Sequence, residues 1–345
     1  MKKYILIGVL SCFAMVAQAS EPVAQHHAKH VAHHHVKHAA VRHAHHAHKH
    51  PSRVARAKHE VVVKHESVAE ESRVAAKLLA SGDEAFQPAS SPKLLSSIAL
   101  IYDEQSQRPL YTKKPDAVAP IASITKLMTA MVVLDAKPDL NEEISVDVAD
   151  LDSLKGTHSR LGVGTTFTRT EMLRLALMSS ENRAASALAR SYPGGTVAAV
   201  AAMNAKARKL GMLNTTFRDP TGLNSANVST ARDLVKMVAA ARNYALIHQY
   251  TTTATHSVEG ISGRELTFNN TNPLVKSASW DIGVSKTGFI NEAGRCLVMQ
   301  AQIRQRPVII VLLDSVGKST RVGDANRVKK WIESSNTHTR VTRRG

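Results

Sequence analysis

The 345-residue sequence has only 2 cysteines, 4% aromatic residues and no apolar run of the length that a membrane span needs. Two cysteines are too few for a disulfide-stapled scaffold or a Cys-based zinc module. With so few aromatic side chains, the bases of a single-stranded nucleic acid would have little to stack on, so we expect no nucleic-acid partner. The apolar content of 43% excludes a wholly disordered chain. The net charge of +17 indicates an anionic partner.

The N-terminus has the pattern of a secretory signal peptide, which we assign to residues 1–19. Two lysines precede an apolar run of roughly 13 residues, shorter than the ~20 that a membrane helix needs. An Ala-Gln-Ala sequence ending at Ala19 predicts cleavage and export to the periplasm. The alternatives are an uncleaved anchor and a lipoprotein lipidated at Cys12. After cleavage Cys296 is the single cysteine, and we expect it to be buried and inert.

Residues 20–92 are predicted to be a basic, disordered segment and linker. Within it, residues 26–58 contain 12 histidines and 7 Lys or Arg but no acidic residue. Such a composition cannot bury a core. Three hypotheses stay open for this segment: binding of a divalent metal by neutral imidazoles, pH-dependent contact with an anionic wall or membrane surface, and a solvated linker.

Residues 93–335 are predicted to form one domain that contains both strands and helices, followed by a polar tail over 336–345. Strands are predicted at 97–102, 109–111, 281–287, 294–302 and 307–314. Apolar spacing predicts helices over 123–136, 170–190, 196–210, 230–245 and 319–334. We therefore expect one sheet built from both ends of the domain and a mostly helical lobe, with a ligand site between them.

A Ser-x-x-Lys pair, Ser123 and Lys126, opens the first predicted helix. Residues i and i+3 share a helix face, so the hydroxyl and the amine can meet about one turn apart. Serine is a weak nucleophile until a base takes its proton. Lysine can be that base only when burial or nearby positive charge populates its neutral form. Taken alone, the pair is equally compatible with an N-capping serine and an exposed lysine.

Two further motifs carry polar side chains at the ends of predicted elements. Ser180 and Asn182 belong to a Ser-Glu-Asn sequence that follows the apolar helical stretch 171–178. They supply a hydroxyl for proton relay and an amide that can hold a lysine or a substrate carbonyl. Lys286 and Thr287 can bind a substrate carboxylate, and Gly288 lets the backbone approach a substrate without a Cβ. Each motif alone could be an ordinary polar turn, and only their order along the chain gives them weight.

The ordered set Ser-x-x-Lys, Ser-x-Asn and Lys-Thr-Gly resembles the signature of penicillin-binding proteins and class A β-lactamases. Residues 95–335 resemble the low-molecular-mass penicillin-binding proteins, the D-alanyl-D-alanine carboxypeptidase family. Ser-Glu-Asn-Arg, where carboxypeptidases usually show Ser-Gly-Asn-Asp, is similar to the endopeptidase branch, of the penicillin-binding protein 7 type. The stretches that carry the resemblance are 120–130, 177–185, 203–207, 210–217, 220–223, 228–234 and 286–289.

The resemblance implies an α+β fold of the penicillin-binding protein/β-lactamase type, with an antiparallel sheet. It implies that Ser123 attacks a D-alanyl carbonyl and forms an acyl-enzyme, with Lys126 as the base. Ser180, beside Asn182, would relay the proton to the leaving amine. In the endopeptidase branch the bond cut is a cross-link between peptidoglycan stem peptides.

The resemblance also implies how the substrate is held. The backbone N–H groups of Ser123 and Phe289 would bind the oxyanion. Lys286 and Thr287 would hold a substrate carboxylate beside Gly288. Penicillins and other β-lactams would acylate the serine and remain attached. No metal and no cofactor is required.

The nearest alternative is a D,D-carboxypeptidase, which uses the same site with a different leaving group. A class A β-lactamase would need a Glu-x-x-Leu-Asn loop, and the sequence contains no such string. A third hypothesis is a non-catalytic wall- or metal-binding protein in which the histidine-rich segment is the working part. Such a scaffold has no physical need for the complete set of motif residues.

Overall fold

The computed structural model describes residues 90–261 and 263–335. The helices are α1 (Thr125–Asp135), α2 (Arg169–Met178), α3 (Asn182–Arg190), α4 (Gly195–Lys209), α5 (Ala231–Ala241), α6 (Ala245–Thr251) and α7 (Thr320–Ser335). The strands are β1 (Ile98–Asp103), β2 (Arg108–Lys113), β3 (Ala119–Pro120), β4 (Glu143–Ser145), β5 (Thr166–Thr168), β6 (Val228–Ser229), β7 (Thr255–Glu259), β8 (Glu265–Asn269), β9 (Asp281–Ile290), β10 (Gly294–Ile303) and β11 (Arg306–Ser315). Short 3-10 turns span Ala122–Ile124, Val148–Asp150 and Pro273–Lys276.

A five-stranded antiparallel sheet in the order β2-β1-β11-β10-β9 forms the centre of the domain. Its first two strands come from the beginning of the described chain and the other three from its end, which confirms the predicted sheet. β1 and β11 pair in register, with Ile101 opposite Ile310. The fold is therefore of the expected α+β class.

Both faces of this sheet are buried, since a hydrophobic core lies on each side of it. Successive side chains of a strand point to opposite faces and therefore enter different cores. On one face Ala99 and Ile101 pack in a core with Trp331 of α7. On the other face Ile98 and Leu100 join the larger core of the helical lobe. A strand covered on both sides reads as a continuous apolar run rather than an alternating one.

The predicted helix over 170–190 is wrong, because the structure has two helices there, α2 and α3. The break falls at Ser180, whose φ of 64° is left-handed and cannot continue an α-helix. The Ser-Glu-Asn motif follows the end of α2, as predicted, and it also leads directly into α3. Apolar periodicity missed the break because residues of both helices are buried in the same core.

The segment after α5 also differs from the expectation. The helix predicted over 230–245 ends at Ala241, and α6 follows. A hairpin of β7 and β8, absent from the prediction, then precedes the 3-10 turn and β9. These strands alternate exposed residues with buried or half-buried ones over only five positions each, which is a weak signal in the sequence.

Two smaller expectations concern the cysteine and the membrane. Cys296 is buried, and burial raises the pKa of its thiol to about 11. The thiolate is therefore scarce at neutral pH and the group is inert. Within residues 90–335, apart from residue 262, no helix is both long and apolar enough to cross a membrane.

Candidate active site

An open cleft of about 380 Å³ collects the residues of all three motifs. It runs along β9 and is bounded on its other side by the start of α3 and the loop before β5. Its lining residues are Ser123, Thr157, Ser180, Asn182, Leu223, Thr271, Thr287, Gly288, Phe289 and Arg321. The structure thus brings together six of the eight predicted site residues at the surface of one cleft. The other two, Lys126 and Lys286, lie buried beside it.

Ser123 lies in the 3-10 turn that precedes α1, and the turn is held from two sides. Gly222 packs so closely that a Cβ there would lie 2.0 Å from the carbonyl oxygen of Ala122. A Cβ on Gly288 would lie 2.8 Å from the carbonyl oxygen of Ile121. Gly288, which the sequence predicts to lie beside the substrate, lets β9 approach the turn that carries the serine.

The Lys126 amine is buried at the base of the cleft, with 1% of the residue exposed. Its Nζ lies 2.9 Å from Ser123 Oγ, 2.7 Å from Asn182 Oδ1 and 2.7 Å from the carbonyl oxygen of Thr221. Burial lowers the pKa of this lysine to about 7, although the carboxylates of Asp219 and Glu181 act in the opposite direction.

The three contacts of Lys126 suit the neutral amine. A neutral amine has two N–H bonds and one lone pair. The amide oxygen of Asn182 and the carbonyl oxygen of Thr221 are acceptors and take the two N–H bonds. The lone pair then faces the remaining partner, the hydroxyl of Ser123. The geometry therefore poises this lysine to take the proton of the serine.

A second buried lysine lies on the opposite side of the cleft, on β9. Lys286 is 1% exposed and donates to Ser180 Oγ at 2.8 Å and to the carbonyl oxygen of Thr287 at 2.9 Å. Burial, together with the positive charges of Lys126 and Arg321, lowers its pKa well below the ordinary value. An anion in the cleft would relieve this repulsion and restore the charge of Lys286.

The remaining motif residues complete the walls. Thr287 donates to the hydroxyl of Thr271 at 2.7 Å, and Asn182 donates from Nδ2 to Thr157 Oγ1 at 3.0 Å. The ring of Phe289 is half exposed at the rim, with the Arg295 guanidinium 4.4 Å from its centre. Sequence reasoning assigned no role to either threonine, and isolated threonines give no signal that could have found them.

Sequence reasoning also missed Arg321, in the first turn of α7. It is 8% exposed and lines the cleft, and within the described residues its Nε and Nη1 have no hydrogen-bond partner. Burial lowers its pKa, and the neighbouring charge of Arg295 does so further. One signal in the sequence could have indicated Arg321. A positive charge in the first turn of a helix is electrostatically unfavourable, so an arginine there suggests an anionic partner.

The loop that follows Asp219 is a further missed feature. The Asp219 carboxylate accepts from the backbone N–H of Gly222 at 2.8 Å, from the hydroxyl of Thr221 at 2.6 Å and from Asn227 Nδ2 at 2.7 Å. These bonds fix the loop whose Thr221 carbonyl meets Lys126. The Pro-Thr-Gly-Leu stretch of the sequence marked this loop without indicating what it does.

The fold and its cleft place the protein among the serine hydrolases that share the penicillin-binding fold, and comparisons with known proteins narrow this class. Residues 85–317 match the family model described as D-alanyl-D-alanine carboxypeptidase. A D-alanyl-D-alanine endopeptidase of Pseudomonas aeruginosa is 50% identical over 243 residues, 70% of this chain and 78% of that protein. A D-alanyl-D-alanine endopeptidase of Escherichia coli K12 is 50% identical over 250 residues, 71% of this chain and 80% of that protein.

A solved structure agrees with these relatives. The crystal structure of the Streptomyces K15 DD-transpeptidase superposes with a TM-score of 0.66 at 29% identity, covering 71% of this chain and all of that one. The chain belongs to the D-alanyl-D-alanine carboxypeptidase family of serine peptidases, which confirms the resemblance found in its motifs. Its endopeptidase relatives are more similar to it than the carboxypeptidase of Streptomyces K15, which is 32% identical over 273 residues.

Proposed function

We propose that the protein is a periplasmic D,D-endopeptidase that hydrolyses D-alanyl cross-links of peptidoglycan through an acyl-enzyme on Ser123. The observation that carries the proposal is the 2.9 Å contact between Ser123 Oγ and the buried amine of Lys126. The choice of an endopeptidase over a carboxypeptidase is supported by the two relatives at 50% identity, whose names state that activity.

Acylation begins with the hydroxyl of Ser123. As Oγ attacks the carbonyl carbon of the D-alanyl residue, its proton moves to the lone pair of Lys126, which becomes an ammonium ion. The carbonyl π electrons move to oxygen and give a tetrahedral oxyanion. Backbone N–H groups of Ser123 and Phe289 are the proposed donors to that oxygen.

Collapse of this intermediate re-forms the carbonyl and breaks the bond to the leaving nitrogen. The amine needs a proton, and the hydroxyl of Ser180 is the proposed relay. The oxygen of Ser180 accepts a hydrogen bond from Lys286, so the hydroxyl hydrogen of Ser180 is free to be donated. Ser180 regains a proton from Lys126 through the cleft, so the lysine is neutral again. Water then attacks the acyl carbonyl while Lys126 takes its proton. Collapse of the second tetrahedral intermediate breaks the ester bond, Lys126 returns the proton to Ser123 Oγ, and the acyl peptide is released.

A substrate carboxylate is proposed to bind between Lys286, Thr287 and Arg321. The first two residues offer an amine and a hydroxyl on β9. Arg321 offers from the other side two N–H donors that have no partner among residues 90–261 and 263–335. Buried cations that repel one another are stabilised by an anionic ligand. The carboxylate of a β-lactam would occupy the same place, which supports β-lactams as covalent inhibitors.

The test uses purified cross-linked dimeric muropeptide. The mature protein and Ser123→Ala are incubated with it, and the products are identified by mass spectrometry. We expect the wild type alone to convert dimers to monomers. Loss of a terminal D-alanine with cross-links intact would instead assign the protein to the carboxypeptidases.

The proposal includes export through the signal peptide and a role for the histidine-rich segment 26–58. Both lie in residues 1–89, outside the described residues. Export predicts that the mature protein isolated from periplasm begins at Ser20. For residues 26–58 we propose a ligand that is a divalent metal or an anionic surface, on the strength of 12 histidines in that stretch. Calorimetric titration of zinc into the mature protein tests metal binding, and a variant that lacks residues 26–58 is the control. Absence of heat at micromolar zinc would remove the metal from the proposal.

A further inference from the structure

Three consecutive side chains at the start of α3 hold alternate residues of one cleft wall, the segment 157–161. The middle position of a Ser-x-Asn motif needs no side chain for the chemistry of its neighbours, yet here it carries a buried carboxylate. The bonds are Asn182 Nδ2 to Thr157 Oγ1 at 3.0 Å, Ser159 Oγ to Glu181 Oε2 at 2.6 Å, and Arg183 Nη1 to the carbonyl oxygen of Leu161 at 2.6 Å.

Glu181 is the most buried member of this set, with 9% of the residue exposed. Its carboxylate accepts from Ser159, whose oxygen in turn accepts from the backbone N–H of Leu161 at 3.1 Å. A charge-assisted bond to a buried carboxylate is short and directional. The chain of bonds therefore fixes the backbone of the segment 157–161 at a set distance from α3.

The other side of this segment is also held. Arg160 donates to the carbonyl oxygen of Thr267 on β8, and its guanidinium lies 3.8 Å from the centre of the Phe268 ring. The segment is thus fixed between α3 and the β7–β8 hairpin, and it presents Thr157 to the cleft across from β9.

We propose that Glu181 is a positioning residue that, through Ser159, sets the wall 157–161 against β9 and so adapts the cleft to a cross-linked peptide. The reasoning rests on the proposed endopeptidase function. A cross-linked substrate carries a whole stem peptide on each side of the bond that is cut, so both walls of the cleft contact it. A penicillin or the D-alanine end of a single stem peptide needs mainly the central groups around Ser123. Loss of the Glu181–Ser159 bond should therefore lower kcat/KM for a cross-linked peptide more than it lowers reaction with penicillin or with a single stem peptide.

Glu181 also acts through its charge, since it lies close enough to Lys126 to favour the ammonium form. Two variants separate the charge from the hydrogen bond. Ser159→Ala removes the bond and keeps the charge. Glu181→Gln removes the charge and keeps an oxygen that can accept from Ser159. Glu181→Gly removes both.

The experiment measures kcat and KM for dimeric muropeptide and for a monomeric pentapeptide, together with the rate of Ser123 acylation by penicillin. We expect Ser159→Ala and Glu181→Gly to lose about tenfold in kcat/KM for the dimer, mainly through KM, and less than about twofold in penicillin acylation. Glu181→Gln should restore most of the dimer activity that Glu181→Gly loses. Stoichiometric labelling by penicillin shows that each variant is folded.

Two results would overturn the inference. One is an equal loss on dimer, pentapeptide and penicillin, which would mean that Glu181 acts on the chemistry of Ser123 and Lys126. The other is normal dimer cleavage by both Ser159→Ala and Glu181→Gly. If the wild type itself leaves dimers intact while penicillin still acylates Ser123, the endopeptidase function fails first, and the proposed selectivity fails with it.

Discussion

The pH dependence of Ser123 acylation tests whether Lys126 is the base. Burial lowers the pKa of this amine from 10.5 to about 7. At pH 7 about half of the molecules then carry the neutral amine, whereas an ordinary lysine would be neutral in about one molecule in 3,000. The fraction of neutral base at pH 7 is thus about 1,500-fold larger than for an ordinary lysine, which corresponds to about 4 kcal/mol.

Acylation by a fluorescent penicillin in a stopped-flow instrument measures this directly. We expect the rate to rise about tenfold per pH unit below about pH 6 and to level off above about pH 8. Lys126→Met should be slower by about 10³-fold and should lose the dependence on pH. A rate that stays constant from pH 5 to 9, or one that rises only near pH 10, would refute the assignment of Lys126 as a neutral base.

The same pKa has a consequence for stability, whose sign follows from linkage. The folded pKa of Lys126 lies below its unfolded value, so the unfolded chain binds more protons between pH 7 and pH 10. The free energy of unfolding of the wild type should therefore rise with pH relative to Lys126→Met, by about 1.4 kcal/mol per pH unit in this window. Urea unfolding of both proteins at several pH values measures the difference, and equal slopes would show that Lys126 is not protonated more readily on unfolding.

Three further expectations follow from the walls of the cleft. Gly288→Ala places a Cβ 2.8 Å from the carbonyl oxygen of Ile121 and should slow penicillin acylation by about 10²-fold, whereas Gly323→Ala, whose Cβ has its nearest neighbour at 3.5 Å, should leave the rate unchanged. Asp219→Asn removes a charge that raises the pKa of Lys126, so the midpoint of the acylation profile should move to lower pH; a midpoint that does not move would contradict this role. Arg321→Met should raise KM about tenfold or more for substrates with a carboxylate, and it should not lower Tm, because no described residue accepts from two donors of the buried guanidinium.

Much of the fold was predictable from sequence because its signals are local. β1, β10 and β11 contain runs of apolar residues, and β10 and β11 are joined by a short polar turn. The helices α1, α4 and α7 keep their apolar spacing over eleven or more residues. The prediction of one helix over 170–190 was wrong. The left-handed backbone of Ser180 separates two helices there, and a single left-handed residue does not alter the apolar periodicity of the sequence.

The candidate site divides in the same way. The sequence alone predicted most of the residues that meet at the cleft, because the Ser-x-x-Lys spacing, the Ser-x-Asn motif and the Lys-Thr-Gly motif are short patterns whose residues are neighbours in the chain. The arrangement of these groups around Ser123, in contrast, depends on the tertiary structure. Burial of Lys126 and its contact with the Thr221 carbonyl depend on a loop about 95 residues away, and Arg321 reaches the cleft from the last helix. A low dielectric environment and contacts between distant residues are properties of packing, and no local pattern encodes them.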